Sequence, residues 1–225
     1  MRATDRSDMS NKSAKKGSRG RGDAQKRRKQ ILRAAVEVFA EKGYYGCRIS
    51  DIASRAGVAY GLVYHYFKNK SQILDVIFER HWQLLNELLE KMVQEPGPIE
   101  DKLYRFVSMV LDAYRAAPEL MHVIVIEIAR SCRQLKPSRL EQYQRSFELL
   151  ASVLSEHQKR GEISGEFDCK LLSYCIFGML ELVLTGFALR MLNHGSDSEF
   201  EALKRQLVRL FLAGAQPQLP KISRY

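Results

Sequence analysis

Cysteine, proline and the signatures of chemistry are scarce in this chain of 225 residues. Its four cysteines, Cys47, Cys132, Cys169 and Cys175, form no Cys-x-x-Cys and have no histidine at metal spacing, so neither a zinc site nor a disulfide framework is expected. The five histidines, His65, His81, His122, His157 and His194, are scattered through helical patterns without His-Glu-x-x-His; Gly-x-Ser-x-Gly and a phosphate-binding loop are also missing. We therefore expect no enzyme, no metal and no cofactor. The start, MRATDRSDMS, has no apolar core of the secretory kind, which points to the cytoplasm. Residues 171–192 form the one run apolar enough to test as a membrane span, but Glu181 lies at its middle and Arg190 near its end. A mid-span carboxylate costs about 2.5–3.5 kcal/mol, so a buried interface helix is the better reading and no membrane partner is expected.

Charge is abundant but unevenly placed. Residues 1–33 carry 12 Lys/Arg against 3 Asp, a net of +9, and the remaining 192 carry 24 against 23 Asp/Glu. Residues 1–22 nearly lack apolar side chains and are expected to be a disordered basic arm, either adding phosphate contacts or serving as a solubilising leader. An amphipathic helix follows over about 23–42, with Ile31, Leu32, Ala35, Val36 and Phe39 inward and Lys26, Arg27, Arg28 and Lys29 at its start. Cations there oppose the helix dipole, a cost that makes sense beside phosphates.

The segment 46–70, GCRISDIASRAGVAYGLVYHYFKNK, reads as two short helices about a tight turn at Gly57. Ile52, Ala53 and Ala56 face inward from the first, Leu62, Val63 and Phe67 from the second, and Tyr60, Tyr64, His65 and Tyr66 stay outside. A helix-turn-helix with a polar, aromatic and basic outer face suits the major groove of DNA. Asn69-x-x-Gln72 then caps a long helix to about Val93, striped by Ile73, Ile77, Leu84 or Leu85, Leu88 and Met92. Pro96-Gly97-Pro98 breaks it, and Leu103, Phe106, Val107, Val110 and Tyr114 mark the next helix. Residues 121–129, MHVIVIEIA, have strand propensity, yet no second strand exists to pair with them, so helix is predicted. Long helices over about 138–160 and 168–193 and a last one over about 198–214 complete an all-α chain.

The ordering Phe39, Gly43, Ile52-Ala53, Ala56-Gly57-Val58, Gly61, Tyr64, Tyr66-Phe67, Lys70 and Ile73-Leu74 resembles the DNA-binding region of the TetR family of bacterial transcriptional regulators. The resemblance implies a three-helix DNA-binding domain (23–69) after the arm (1–22), then a helical ligand-binding and dimerisation domain (70–215) and a tail (216–225). It also implies a homodimeric repressor of a double-stranded DNA operator, answering to a small-molecule effector. It assigns DNA contacts to Arg48, Ser50, Ala59, Tyr60, Gly61, Tyr64, His65, Tyr66 and Lys70, with Tyr64, Tyr66 and Lys70 on phosphates. Relatives usually carry Thr at position 48 and often Ser at 59; Arg48 weakens the helix cap but supplies a stronger phosphate donor.

Further stretches, Arg48 through Ala53, Phe67-Lys68-Asn69-Lys70, Glu127 through Ser131, Gly161-Glu162-Ile163 and Ile176 through Glu181, are similar to the fatty-acid-metabolism branch, whose effectors are acyl-CoA thioesters. On that resemblance an apolar cavity would be lined by Leu103, Phe106, Val110, Tyr114, Val125, Ile128, Phe177, Leu180 and Leu184. Arg130 and Arg133 would stand at its mouth to meet the CoA phosphates. The helix pair 138–160 and 168–193 would pack against its copy, with Phe147, Leu150, Leu154 and Phe187 at the contact or in the core. A multidrug-responsive repressor, with a broad aromatic pocket and no basic mouth, is the alternative.

Overall fold

The computed structural model describes the backbone of residues 8–131 and 137–217, with side chains for 22–125 and 140–217. Among the described residues every regular element is a helix: α1 Asp8–Gly46, α2 Ile49–Arg55, α3 Tyr60–Tyr66, α4 Lys70–Gln94, α5 Ile99–Ala116, α6 Pro118–Ser131, α7 Pro137–Lys159, α8 Cys169–Ala188 and α9 Asp197–Ala215. The all-α class read from the sequence is correct, including the helical form of the β-branched run in α6. The chain divides into two compact units at Leu74 and Asp75, with α4 running through the division.

In the first unit, α1 starts at Asp8 and not near Asp23. Once a helix is nucleated, each added residue gains one hydrogen bond, and Ala, Lys, Arg and Gln are good formers, so tertiary burial is not needed to extend it. The helical path breaks at Gly43, whose φ of 69° and ψ of 160° belong to no helix. Ile31, Ala34, Ala35, Val38 and Phe39 are the buried stripe of α1; Leu32 and Val36 are only half-buried. They enclose Ile52, Ala53 and Ala56 of α2 and Val63 and Phe67 of the α3 end. Gly57 makes the turn with φ 62°, a left-handed conformation that a side chain would strain. Arg55 binds Glu37 at 3.1 Å and Glu41 at 2.7 Å, and Gln30 donates to the Ala56 carbonyl at 2.7 Å, so the C-terminal end of α2 is tied to α1.

In the second unit α5 lies against α6, α8 and α9, and α8 against α6 and α7. Pro98 stands at the N-cap of α5. The core holds Leu103, Phe106, Leu111, Ile124, Leu150 and Phe200, all essentially inaccessible. Two pairs of polar side chains join helices through buried members: Lys204 with Asp112 at 2.6 Å joins α9 to α5, and the Ser146 hydroxyl donates to Asn86 at 2.6 Å, joining α7 to α4. Helix α8 ends at Ala188, five residues short of the expected Asn193. Arg190 takes φ 57°, and the Met191 and Leu192 amides return to the Gly186 carbonyl, so the chain folds back and stops the helix.

Phe147, Leu150, Leu154 and Phe187, which the sequence left between core and dimer contact, are core: each is at most 4% exposed within one chain. The apolar side chains that α8 leaves outside are Leu171, Tyr174 and Leu182, flanked by exposed Cys175 and Gly178. Spacing of three and four makes them one stripe opposite the buried Leu172, Ile176, Leu180 and Leu184. Helix α8 is long and apolar enough to cross a membrane by length and composition, with a mean hydropathy of 1.8, but its buried stripe is the core of this unit.

Candidate DNA interface and effector cavity

Helix α2 begins without a side-chain cap from Arg48. Asp51 compensates by accepting from the Arg48 amide at 2.7 Å and from Lys42 at 2.9 Å, and both bonds hold its carboxyl below the usual range. The Arg48 guanidinium is thereby left exposed at the surface beside exposed Ser50. Ala59 is the N-cap of α3, which carries Tyr60, Gly61, Tyr64 and His65 exposed and Tyr66 half-buried. The Tyr60 and Tyr64 hydroxyls lie 3.2 Å apart with their rings edge to face. That hydrogen bond raises the Tyr64 hydroxyl above its ordinary range, so it stays protonated and able to donate to a phosphate. The Arg28 guanidinium lies 5.2 Å over the ring of Phe67, which fixes one of the cations of α1 beside the end of α3.

Lys70 is engaged elsewhere than expected. Its ammonium donates to the Cys47 carbonyl at 2.8 Å and to the Tyr44 carbonyl, and sits 4.5 Å over the Tyr44 ring. Two of its three donors hold the connection between α1 and α2 to the start of α4. Cys47 is buried beneath this clamp, and burial pushes its thiol up, away from reactivity.

The second unit contains a cavity of about 60 Å³ bounded by the five helices α4, α5, α6, α7 and α8. Of the positions the resemblance assigned to an effector cavity, Val110, Val125, Phe177, Leu180 and Leu184 are among those lining it. Leu103 and Phe106 do not; they are fully buried core, and Tyr114 stacks on Phe187 with centroids 5.2 Å apart. The side chains of Ile128, Arg130 and Arg133 lie outside the described residues, as do those of the arm up to residue 21. Sequence reasoning missed His81, Trp82 and Leu85 of α4, Met121 and Ile124 of α6, Tyr143 of α7 and Glu181. The α4 stripe was legible as Leu84 or Leu85, but extending it backward by three residues finds Trp82, the chain's one tryptophan. Trp82 meets Tyr143 edge to face at 4.9 Å, and Tyr143 meets Phe147 at 4.8 Å, so rings from α4 and α7 form one wall.

His81 is the titratable group most altered by this cavity. Burial pushes its imidazole down to about 4, so it is neutral at pH 7. Because the unfolded chain takes the proton first, stability is constant above the ordinary histidine value of about 6.5 and falls as pH drops from there towards 4. Urea unfolding at pH 7.5 and pH 5 should show a loss of about 2 kcal/mol from this residue. The His81→Leu variant should lack that part of the decline; an identical decline in both proteins would mean that another group titrates.

Residues 31–77 match the profile of bacterial regulatory proteins of the tetR family, and residues 78–214 match the C-terminal region of YsiA-like proteins. The chain belongs to the TetR family. It is similar to the fatty acid metabolism regulator protein of Bacillus subtilis, with 31% identity over 187 residues, 82% of this chain and 93% of that one. Among solved structures it resembles the fatty acid degradation regulator FadR of Bacillus halodurans, with TM-score 0.72, 30% identity, and 84% and 99% of the two chains covered. FadR of Bacillus subtilis in complex with stearoyl-CoA is also similar, with TM-score 0.68, 29% identity, and 83% and 98% covered. This TetR-family chain is thus a DNA-binding regulator and not an enzyme, and its family membership supports a homodimer.

Proposed function

We propose that this regulator represses genes of fatty-acid metabolism in the cytoplasm, binding a palindromic operator as a homodimer and leaving it when a long-chain acyl-CoA enters the second unit. The observation that carries the reading is the cavity wall made by α4. His81, Trp82 and Leu85 line the cavity on the same helix whose first residue, Lys70, clamps the helix-turn-helix. A cavity of about 60 Å³ is far below the roughly 300–1,000 Å³ of a ligand site, so an acyl chain has to push its walls apart. Displacing Trp82 and Leu85 displaces α4, and a dimer reads two half-sites only while its recognition helices keep their spacing. Linkage then requires DNA to weaken effector by the factor that effector weakens DNA. The apolar stripe Leu171, Tyr174 and Leu182 on α8 is the face we assign to the second copy, because one chain leaves it in water. Arg48 and Tyr60 read bases, Tyr64 and Tyr66 hold phosphates, and Arg130 and Arg133 are the cations for the CoA phosphates.

The Bacillus relatives support this choice of effector. The described cavity also favours a second reading, since Trp82, Tyr143 and Phe177 with the carboxylate of Glu181 suit a cationic aromatic drug. Because Trp82 is the one tryptophan and lines the cavity, its fluorescence reports occupancy directly. Palmitoyl-CoA should shift Trp82 emission and release DNA selected by the protein from a random pool, over the same concentration range, while free CoA and ethidium do neither. A response to ethidium without one to palmitoyl-CoA would replace the acyl-CoA reading by the drug sensor.

A further inference from the structure

We infer that His81 is the hydrogen-bond donor to the effector's thioester carbonyl, an assignment that rests on the acyl-CoA reading and specifies which atom of that ligand sits where. The wall around His81 is hydrocarbon and aromatic ring: Trp82, Leu85, Val110, Ile124, Phe177 and Leu184. The imidazole is half-buried in it, edge to face with Trp82 at 5.6 Å, and neither ring nitrogen has a hydrogen-bond partner among the described residues. A ligand that fills the cavity shuts solvent away from those nitrogens. Methylenes packed there would leave a desolvated donor and acceptor unpaired, which is unfavourable. The best ligand therefore brings a polar atom to that spot.

The acyl half of an acyl-CoA has one such atom, the carbonyl oxygen of its thioester; everything beyond it is hydrocarbon. A carbonyl needs a donor, and the neutral imidazole has one N–H to give. The other polar side chains of the described wall are less suited. A carboxylate such as that of Glu181 only accepts, and the Trp82 indole N–H and Tyr143 hydroxyl belong to rings packed edge to face on each other at 4.9 Å. Seating the carbonyl at His81 also orients the ligand, with the chain directed along the apolar wall and the CoA moiety outward. The cavity then distinguishes a thioester from a plain hydrocarbon of equal length.

The test compares palmitoyl-CoA with S-hexadecyl-CoA, the thioether in which a methylene replaces the carbonyl, by calorimetric titration of the full-length protein. Wild type should prefer the thioester about tenfold, equivalent to about 1.4 kcal/mol. His81→Leu should bring the two ligands to within about twofold of each other while binding the thioether at least as tightly as wild type does, since no imidazole is then left unpaired against its methylenes; that reports an intact cavity. His81→Gln, which keeps an N–H donor, should retain part of the preference. If His81→Leu loses both ligands, His81→Gln decides: a retained preference supports the assignment and a lost one overturns it. A preference that survives in His81→Leu, or wild type binding both ligands equally, overturns the inference and leaves the acyl-CoA reading standing. Wild type binding neither overturns both.

Discussion

Lys70→Ala should lower the stability of the DNA-binding unit by about 2–4 kcal/mol and weaken operator binding at least tenfold, with little change in the dependence of binding on salt. The ammonium is shared between the Cys47 and Tyr44 carbonyls and rests on the Tyr44 ring. Removing it strips the Cys47 and Tyr44 carbonyls of their charged donor, at about 1–3 kcal/mol for such a loss, and deletes a cation–π contact of about 0.5–1 kcal/mol. The connection between α1 and α2 then loosens, and with it the position of Arg48 and the angle at which α3 is presented. Family resemblance alone assigns Lys70 to a phosphate, and that role makes the opposite prediction. One lost phosphate contact reduces the salt slope by about 0.9 and leaves folding untouched. Thermal unfolding and a salt titration of the same variant separate the two: an unchanged melting temperature with a slope reduced by about 0.9 would return Lys70 to the phosphate class.

Val110→Phe is the second large effect, and it falls on the effector side. Val110 is half-buried on α5 and lines the cavity with the α4 residues His81, Trp82 and Leu85. A phenyl ring in place of isopropyl occupies much of a space of only about 60 Å³. Overpacking of this kind costs about 1–3 kcal/mol of stability, which a unit of this size tolerates. We expect palmitoyl-CoA affinity to fall at least about thirtyfold, because the ligand would now have to displace the ring as well as open the wall. Operator affinity in the absence of effector should stay within about threefold of wild type, since no DNA contact is altered. The variant would therefore be a repressor that no longer lets go. Release by palmitoyl-CoA at the wild-type concentration would show that the effector binds somewhere other than this cavity.

The two sites differ in how far the sequence reveals them. In the helix-turn-helix, residues that act together are neighbours in the chain, so the inward set Ile52, Ala53, Ala56, Val63 and Phe67 and the outward set Tyr60, Tyr64 and His65 follow from helical periodicity. Gly57 marks the turn for a reason that is local as well, its left-handed backbone. The cavity is different, because its walls come from five helices separated by up to about a hundred residues of chain. Apolar positions such as Phe106 and Phe177 carry the same sequence signal, yet the first is core and the second faces the cavity. His81 looked like any lone helical histidine until its neighbours were in place.

Elements of one helix each were thus determined by the sequence itself: the all-helical class, the extents of α4 and α9, the helical form of α6 despite its β-branched residues, and the inward and outward faces of α3. Their causes lie within a few residues, in periodicity, caps and backbone-compatible turns. Tertiary structure alone decided the rest. It placed Phe147, Leu150, Leu154 and Phe187 inside one chain and left Leu171, Tyr174 and Leu182 outside. It also turned Lys70 onto two carbonyls and set the His81 imidazole among apolar and aromatic side chains. Each of those outcomes depends on which helix packs against which face, and side-chain type and spacing do not specify that partner.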